Sequence, residues 1–268
     1  MRTASLRLAL AVCTTAVLTS GCTGREAYEN AFGIGWPKPK TDRAESMYDV
    51  WLGSVAAGAA VGVVVWGLIA YAVVRYRKRT DELPAQIRYN LPIEVLYTVV
   101  PFVIIAVLFF YTAVSENEVN KLEPNPDVTV GVVGFQWNWQ FIYEDDKVQV
   151  TGEPAHPATL VLPVDKRVRF VETSPDVIHS FWVPDFLFKR DVVPGRFNAF
   201  ELTPTREGTY VGRCAEFCGE KHSRMNFTVK VVSQTEYDAY IAGLKADPAA
   251  GLDELSKALE GAIPTARN

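Results

Sequence analysis

Three uncharged apolar blocks crowd the first half of this 268-residue chain, and short alternating stretches fill most of the second. The first block, Leu8 to Leu18, follows Arg2 and Arg7. It is too short for a stable bilayer anchor, so residues 1–21 read as an export signal. The second, Val50 to Val74, holds 25 residues without a charge between Asp49 and Arg75. The third, Val95 to Ser115, holds 21 between Glu94 and Glu116. As helices these reach about 37 Å and 31 Å, enough for a hydrocarbon core of about 30 Å. A transmembrane helical hairpin over residues 50–115 is therefore predicted.

The connection, residues 75–94, carries Arg75, Arg77, Lys78, Arg79 and Arg88 against Asp81 and Glu82. That basic excess places it in the cytoplasm and both ends of the hairpin outside. The extracytoplasmic segment 22–49 contains Trp36-Pro37-Lys38-Pro39-Lys40, which favours an extended chain, and no regular structure is expected there. Gly58 and Gly62, with Ser54 and Ala59, would let another helix approach closely. Glu94, at the start of the second span, suits the positive end of a helix dipole. Small residues lead to Cys22 in Leu18-Thr19-Ser20-Gly21-Cys22, similar to a lipoprotein cleavage box. Thr19 stands where Leu is usual there. The expectation is an acylated Cys22, with an incidental cysteine as the alternative, and Cys13 discarded with the signal.

From Val128 to Val232 the pattern changes to short strands. Val128–Val133, Ala158–Leu162, Arg167–Val171, Phe197–Leu202 and Asn226–Val232 carry it, with turns at 163–165, 203–205 and 207–208. Strands at this spacing predict a sandwich or small barrel over residues 116–232. Within 233–268, Tyr237, Tyr240, Ile241 and Leu244 predict an amphipathic helix over Gln234 to Ala246. Beyond Asp247 the tail is small and polar.

Charge narrows the functions available. The net charge of −4 argues against a nucleic-acid partner. Residues 116–268 hold 16 basic and 23 acidic residues, a net of −7.

The scarce residue types point to the chemistry. The chain has four Cys, three His and three Met. Cys214, Cys218, His222 and Met225 meet within twelve residues, in Arg213-Cys214-Ala215-Glu216-Phe217-Cys218-Gly219-Glu220-Lys221-His222-Ser223-Arg224-Met225. Thiolate, imidazole and thioether together favour copper. A Cys214–Cys218 disulfide and a structural zinc site are the alternatives; a zinc site would leave Met225 unused. A c-type haem needs C-x-x-C-H, which occurs nowhere in the chain. His179 is the best candidate ligand from a second loop, whereas His156 lies in a turn-like stretch and reads as a surface residue.

The C-x-E-x-C-x3-H-x2-M run resembles the copper loop of subunit II of the haem–copper cytochrome c oxidases, and the resemblance spans nearly the whole mature chain. It implies a two-helix hairpin followed by an all-β cupredoxin-like Greek-key barrel outside. It implies a binuclear copper centre, CuA, with Cys214 and Cys218 bridging and His179 and His222 ligating one ion each. Met225 would be a weak axial ligand and Glu216 would offer its backbone carbonyl. The Glu216 carboxylate would face a Mg or Mn ion shared with subunit I. Trp137, in Gly134-Phe135-Gln136-Trp137-Asn138-Trp139, would receive electrons from cytochrome c. Glu94 would stand near the mouth of a proton pathway. Gly195-Arg196 would lie near the subunit interface.

The function implied is that of the electron-accepting subunit of a bacterial, proton-pumping oxidase that reduces oxygen to water. Its partners would be subunit I, other oxidase subunits and either cytochrome c or a membrane-bound c-type cytochrome, within a supercomplex in some arrangements. The acidic domain would steer a basic cytochrome c. Arg224 and Asn226 depart from the family's usual apolar residue and Pro. Rival readings are nitrous oxide reductase, a quinol oxidase subunit II and a membrane-tethered binding lipoprotein with a Cys214–Cys218 disulfide.

Overall fold

The computed structural model describes residues 35–83, 85–153 and 156–246. The export signal, Cys22 and the tail beyond Ala246 lie outside the described residues.

Two long helices come first. Helix α1 spans Asp42–Arg75 and helix α2 spans Leu91–Asn120. Both are long and apolar enough to cross a membrane. Their uncharged centres match the predicted spans, but each helix continues past its span on the outer side. Segment 42–49, expected to be irregular, is the first part of α1. The Thr41 side chain caps it by accepting from the Ala44 backbone N–H at 3.2 Å. That hydrogen bond satisfies one of the free donors at the helix start.

Polar partners hold the extensions together. Buried Arg43 pairs with Glu118, and the Ser46 and Ser115 hydroxyls lie 2.8 Å apart. The contact between the helices does not use the Gly58 and Gly62 pattern: a Cβ on either would meet nothing within 4 Å. Gly53, Ser54 and Ala57 instead share a cavity with Val107, Leu108 and Tyr111 of α2.

Among the described residues, ten strands form two five-stranded sheets. They are β1 Val128–Phe135, β2 Asn138–Tyr143, β3 Val148–Thr151, β4 Thr159–Pro163 and β5 Val168–Thr173. Then follow β6 His179–Val183, β7 Phe188–Val192, β8 Asn198–Leu202, β9 Gly208–Cys214 and β10 Asn226–Val232. One sheet has the order β3-β2-β1-β5-β8 and the other β4-β10-β9-β6-β7. The pairs β1–β5 and β4–β10 are parallel, and the rest are antiparallel. Helix α3, Gln234–Ala246, follows β10 at the predicted position.

Aromatic rings fill the space between the sheets. Phe170 stacks on Phe200 at 4.8 Å, Phe181 on Phe227 at 4.9 Å, and Trp139 meets Phe227 edge-on at 5.2 Å. Burying each such side chain contributes about 1.5–3 kcal/mol. Tyr143 joins the layers by polar bonds as well. Its hydroxyl accepts from the Val161 N–H at 2.9 Å and donates to the Val161 carbonyl at 3.1 Å. Its ring also meets Tyr237 and Tyr240 of α3 edge-on.

The sandwich is stitched to the hairpin. The Asp42 N–H donates to the Thr203 carbonyl at 3.1 Å, and the Thr203 N–H returns a bond to the Asp42 carboxylate at 2.7 Å. Arg190 on β7 donates to the Asn120 side chain on α2 at 2.6 Å. On the linker, the Glu123 N–H donates to Glu201, whose carboxylate also pairs with buried Arg169.

Candidate metal centre

Strand β9 ends in Cys214 and β10 begins at Asn226, so the loop between them is anchored at both ends. The Cys214 N–H donates to the Met225 carbonyl at 3.0 Å, closing the loop at its base. The Ala215 N–H donates to the Ser180 carbonyl at 3.0 Å, tying the loop to β6. Gly219 turns the chain back with φ +114°, a backbone conformation that favours glycine. A short 3-10 turn, His222–Arg224, then brings His222 and Met225 towards the cysteines.

The Cys214 and Cys218 sulfurs are 3.8 Å apart and both cysteines are free. A disulfide needs about 2.05 Å, so this pair is not one. His179 Nδ1 lies 3.9 Å from Cys214 Sγ, and His222 Nδ1 lies 3.6 Å from Cys218 Sγ. Met225 Sδ is 3.7 Å from Cys218 Sγ, and the Glu216 carbonyl is 3.2 Å from Cys214 Sγ. The ligand atoms of His179, Cys214 and Cys218 lie within 4.8 Å of one another. All six residues predicted as ligands therefore converge. His179, Cys214, Cys218 and Met225 are buried, and the Glu216 side chain is exposed.

The donor set fits copper. Two thiols and two imidazoles alone would suit zinc, but a thioether and a carbonyl also point at the sulfurs, and a soft thioether favours copper. The thiols ionise unequally without metal. Burial opposes ionisation of Cys214, but hydrogen bonding with His179 and the backbone outweighs it and brings its pKa to about 7. Burial and the neighbouring Cys214 charge push Cys218 up to about 12. The pair carries one negative charge readily and a second with difficulty, as expected when like charges share a site.

Several supporting residues were not recognised from the sequence. Asp176 Oδ1 lies 2.9 Å from His179 Nε2. The Asp-x-x-His spacing of Asp176 and His179 was the available signal. Gly134 leaves room for this histidine: a Cβ there would meet the His179 Cβ at 3.2 Å. Trp139 donates from Nε1 to the Met225 carbonyl at 3.4 Å.

Trp137, half-buried, packs against the loop. Its Nε1 donates to the Cys218 carbonyl at 3.0 Å, and Gln136 Nε2 donates to the same oxygen at 2.8 Å. The Lys221 ammonium lies 5.5 Å from the centre of its indole. Exposed Arg224 belongs to the same loop. Glu94 is elsewhere, at the start of α2, where its carboxylate accepts from the Asn90 N–H at 2.9 Å. His156 is exposed near Glu153.

A β-sandwich on a membrane hairpin, with thiolate, imidazole and thioether donors at one end, defines a membrane-bound protein with a CuA-type domain. Comparisons with known proteins give the family. A profile described as cytochrome c oxidase subunit II, transmembrane domain, matches residues 39–113, and one described as its periplasmic domain matches residues 155–232. A probable cytochrome c oxidase subunit 2 of Streptomyces coelicolor is 46% identical over 265 residues, covering 84% of this chain and 82% of the relative. Cytochrome c oxidase subunit 2 of Mycobacterium tuberculosis is 38% identical over 296 residues, covering 88% and 80%. The crystal structure of the periplasmic domain of cytochrome oxidase subunit II of Bradyrhizobium japonicum is 30% identical, with a TM-score of 0.44, covering 47% of this chain and 98% of that one. The chain belongs to the cytochrome c oxidase subunit II family, as a membrane subunit of a haem–copper oxidase with its C-terminal domain outside.

Proposed function

We propose that this subunit accepts electrons from a c-type cytochrome at a binuclear copper centre and delivers them to the haem of subunit I, where oxygen is reduced to water. The observation that carries the reading is the free pair of thiols 3.8 Å apart, each with an imidazole nitrogen beside it. Cys214 and Cys218 would bridge, His179 and His222 would hold one ion each, and Met225 and the Glu216 carbonyl would complete the set. Bound copper supplies one-electron redox chemistry. The chain's part is to hold six donors rigid and to bury most of them, so that little rearranges on electron transfer.

Trp137 is where electrons arrive. Its indole is partly exposed and one hydrogen bond from the backbone of a ligand. The Glu216 carboxylate, which points outward while its carbonyl faces Cys214, would bind a Mg or Mn ion shared with subunit I. On this reading the oxidase pumps protons in a bacterial plasma membrane, with the N-terminus and the copper domain on the extracytoplasmic side and Cys22 acylated.

Glu94 is proposed for a proton pathway into subunit I. Its bond to the Asn90 N–H also gives it a capping role. Glu94→Gln separates the two, because an amide oxygen still accepts that bond but cannot relay a proton. Slower turnover with unchanged copper reduction supports the proton role; unchanged turnover leaves only the cap.

The test of the main reading uses the full chain in detergent. It should take up two copper ions and show the purple mixed-valence spectrum with seven-line hyperfine structure in electron paramagnetic resonance. A colourless chain with an oxidised Cys214–Cys218 pair overturns it.

A further inference from the structure

Glu172 has no part in the copper site. Its residue is fully buried, and both carboxylate oxygens lack a hydrogen-bond partner. It stands on β5 in phase with Val168 and Phe170, which belong to the core between the sheets, whereas Val171 packs in a separate cluster. Its cross-strand neighbours are Val132 on β1 and Asn198 on β8.

The nearby charges lie on β7. Arg190 attracts the carboxylate and Asp191 repels it. Arg190 is in phase with the core residues Phe188 and Val192. Its guanidinium is engaged elsewhere, with Asn120 of α2 at 2.6 Å and over the Phe188 ring at 5.4 Å. Arg169, on Glu172's own strand, is held by Glu201. Arg190, Asp191 and Asn198 border a groove of about 680 Å³ that also takes in Glu116 and Asn120 of α2, Lys189 and Arg196. The groove gives the Arg190 side chain room to move and gives Glu172's neighbours a route to water.

A bare carboxylate is costly in such a place unless it is paired. Burial accordingly pushes the Glu172 carboxyl well above the usual carboxylate range. We propose that Glu172 is a buried proton-binding site and that Arg190 is its switch. With the proton on Glu172, Arg190 ties the sandwich to Asn120 at the end of α2. When the proton leaves for water, the guanidinium turns inward to pair with the carboxylate, and the tie to the helix is released. The contact between the β-domain and the membrane hairpin thus follows the protonation of one core residue.

The test uses the full chain in detergent, titrated with two readouts. Infrared difference spectra against Glu172→Gln should show a carboxylic C=O band that persists well above the usual carboxylate range and disappears as the pH is raised further. Over the same range, amide hydrogen exchange at Asn120 and Lys121 should rise beyond the intrinsic base-catalysed increase, and Glu172→Gln should abolish the excess. In Arg190→Gln the band should persist to higher pH, because the carboxylate loses its cation. A band that disappears within the usual carboxylate range overturns the proposal, as does an exchange excess that survives in Glu172→Gln. Should Glu172→Gln fail to fold, Arg190→Gln decides by the excess exchange alone: its loss supports the switch, and its persistence sinks it.

Discussion

The carboxylate of Asp176 lies 2.9 Å from Nε2 of His179, on the side of the ring away from Cys214. Asp176 is itself fixed, accepting from the Gln136 N–H at 2.7 Å, the Val177 N–H at 2.6 Å and the Ser174 hydroxyl at 3.1 Å. Partial burial opposes its ionisation, but these bonds and that with His179 outweigh it and hold the carboxyl below its usual range. An ionised Asp176 keeps the proton of His179 on Nε2 and leaves Nδ1 free for metal. Asp176→Ala should weaken copper binding by roughly 10- to 100-fold, measured by chelator competition. Asp176→Asn should lose less, because its amide oxygen can still accept. Equal affinity in wild type and Asp176→Ala would refute the role.

Gly219 links the copper loop to Trp137. A Cβ there would meet the Trp137 ring at 3.2 Å and Gln136 Nε2 at 3.3 Å, on a backbone with φ +114°. Gly219→Ala should therefore cost about 1–3 kcal/mol in strain and move the indole off the Cys218 carbonyl. Thermal melting reads the first effect. Stopped-flow reduction of the assembled oxidase by a c-type cytochrome reads the second and should be slower. An unchanged rate would mean that the position of Trp137 does not govern electron arrival.

Most of the candidate ligands were legible in the sequence because soft donors are scarce in this chain and meet within one loop. The supporting residues were harder to see. Asp176 and Glu172 are ordinary acids in a sequence rich in them; a local turn three residues before His179 brings one to the histidine, and the strand pairing of β5 sends the other to the core. Apolar runs likewise mark where the bilayer is crossed, and say little about where a helix ends. Segments 42–49 and 116–120 stay helical through polar contacts that join distant positions, such as Arg43 with Glu118 and Ser46 with Ser115. Strand β2 begins at the end of the aromatic stretch that suggested Trp137. Its six residues are all buried, so polar and apolar side chains do not alternate there as on a half-exposed strand.

Tyr143 offers a test of the sandwich. Its hydroxyl satisfies both the N–H and the carbonyl of Val161 from the opposite sheet. Tyr143→Phe keeps the ring contacts and removes both bonds, leaving two buried backbone groups without that partner. Unpaired buried groups cost about 1–3 kcal/mol each, of which relaxation recovers part. The full chain should unfold at lower denaturant concentration with an unchanged slope. A midpoint equal to that of wild type would show that Val161 finds other partners.

Glu172 predicts an unusual pH dependence of stability. At pH below its ordinary value of 4.5 the carboxyl is neutral in both the folded and the unfolded chain, and it contributes no pH dependence. Above 4.5 the unfolded group loses its proton, while burial keeps the folded group protonated. The folded state then binds more protons, so stability falls as pH rises, by about 1.4 kcal/mol per pH unit from this group. The fall ends where the folded group ionises and Arg190 can pair with it. Glutamine does not titrate and fits the same volume. Glu172→Gln should thus match wild type most closely in acid and gain on it as the pH rises above 4.5, until the folded glutamate ionises. The quantity to measure is the difference in unfolding free energy between the two proteins, which cancels other titrating groups. A difference that stays constant with pH would show that folding does not raise the affinity of Glu172 for its proton.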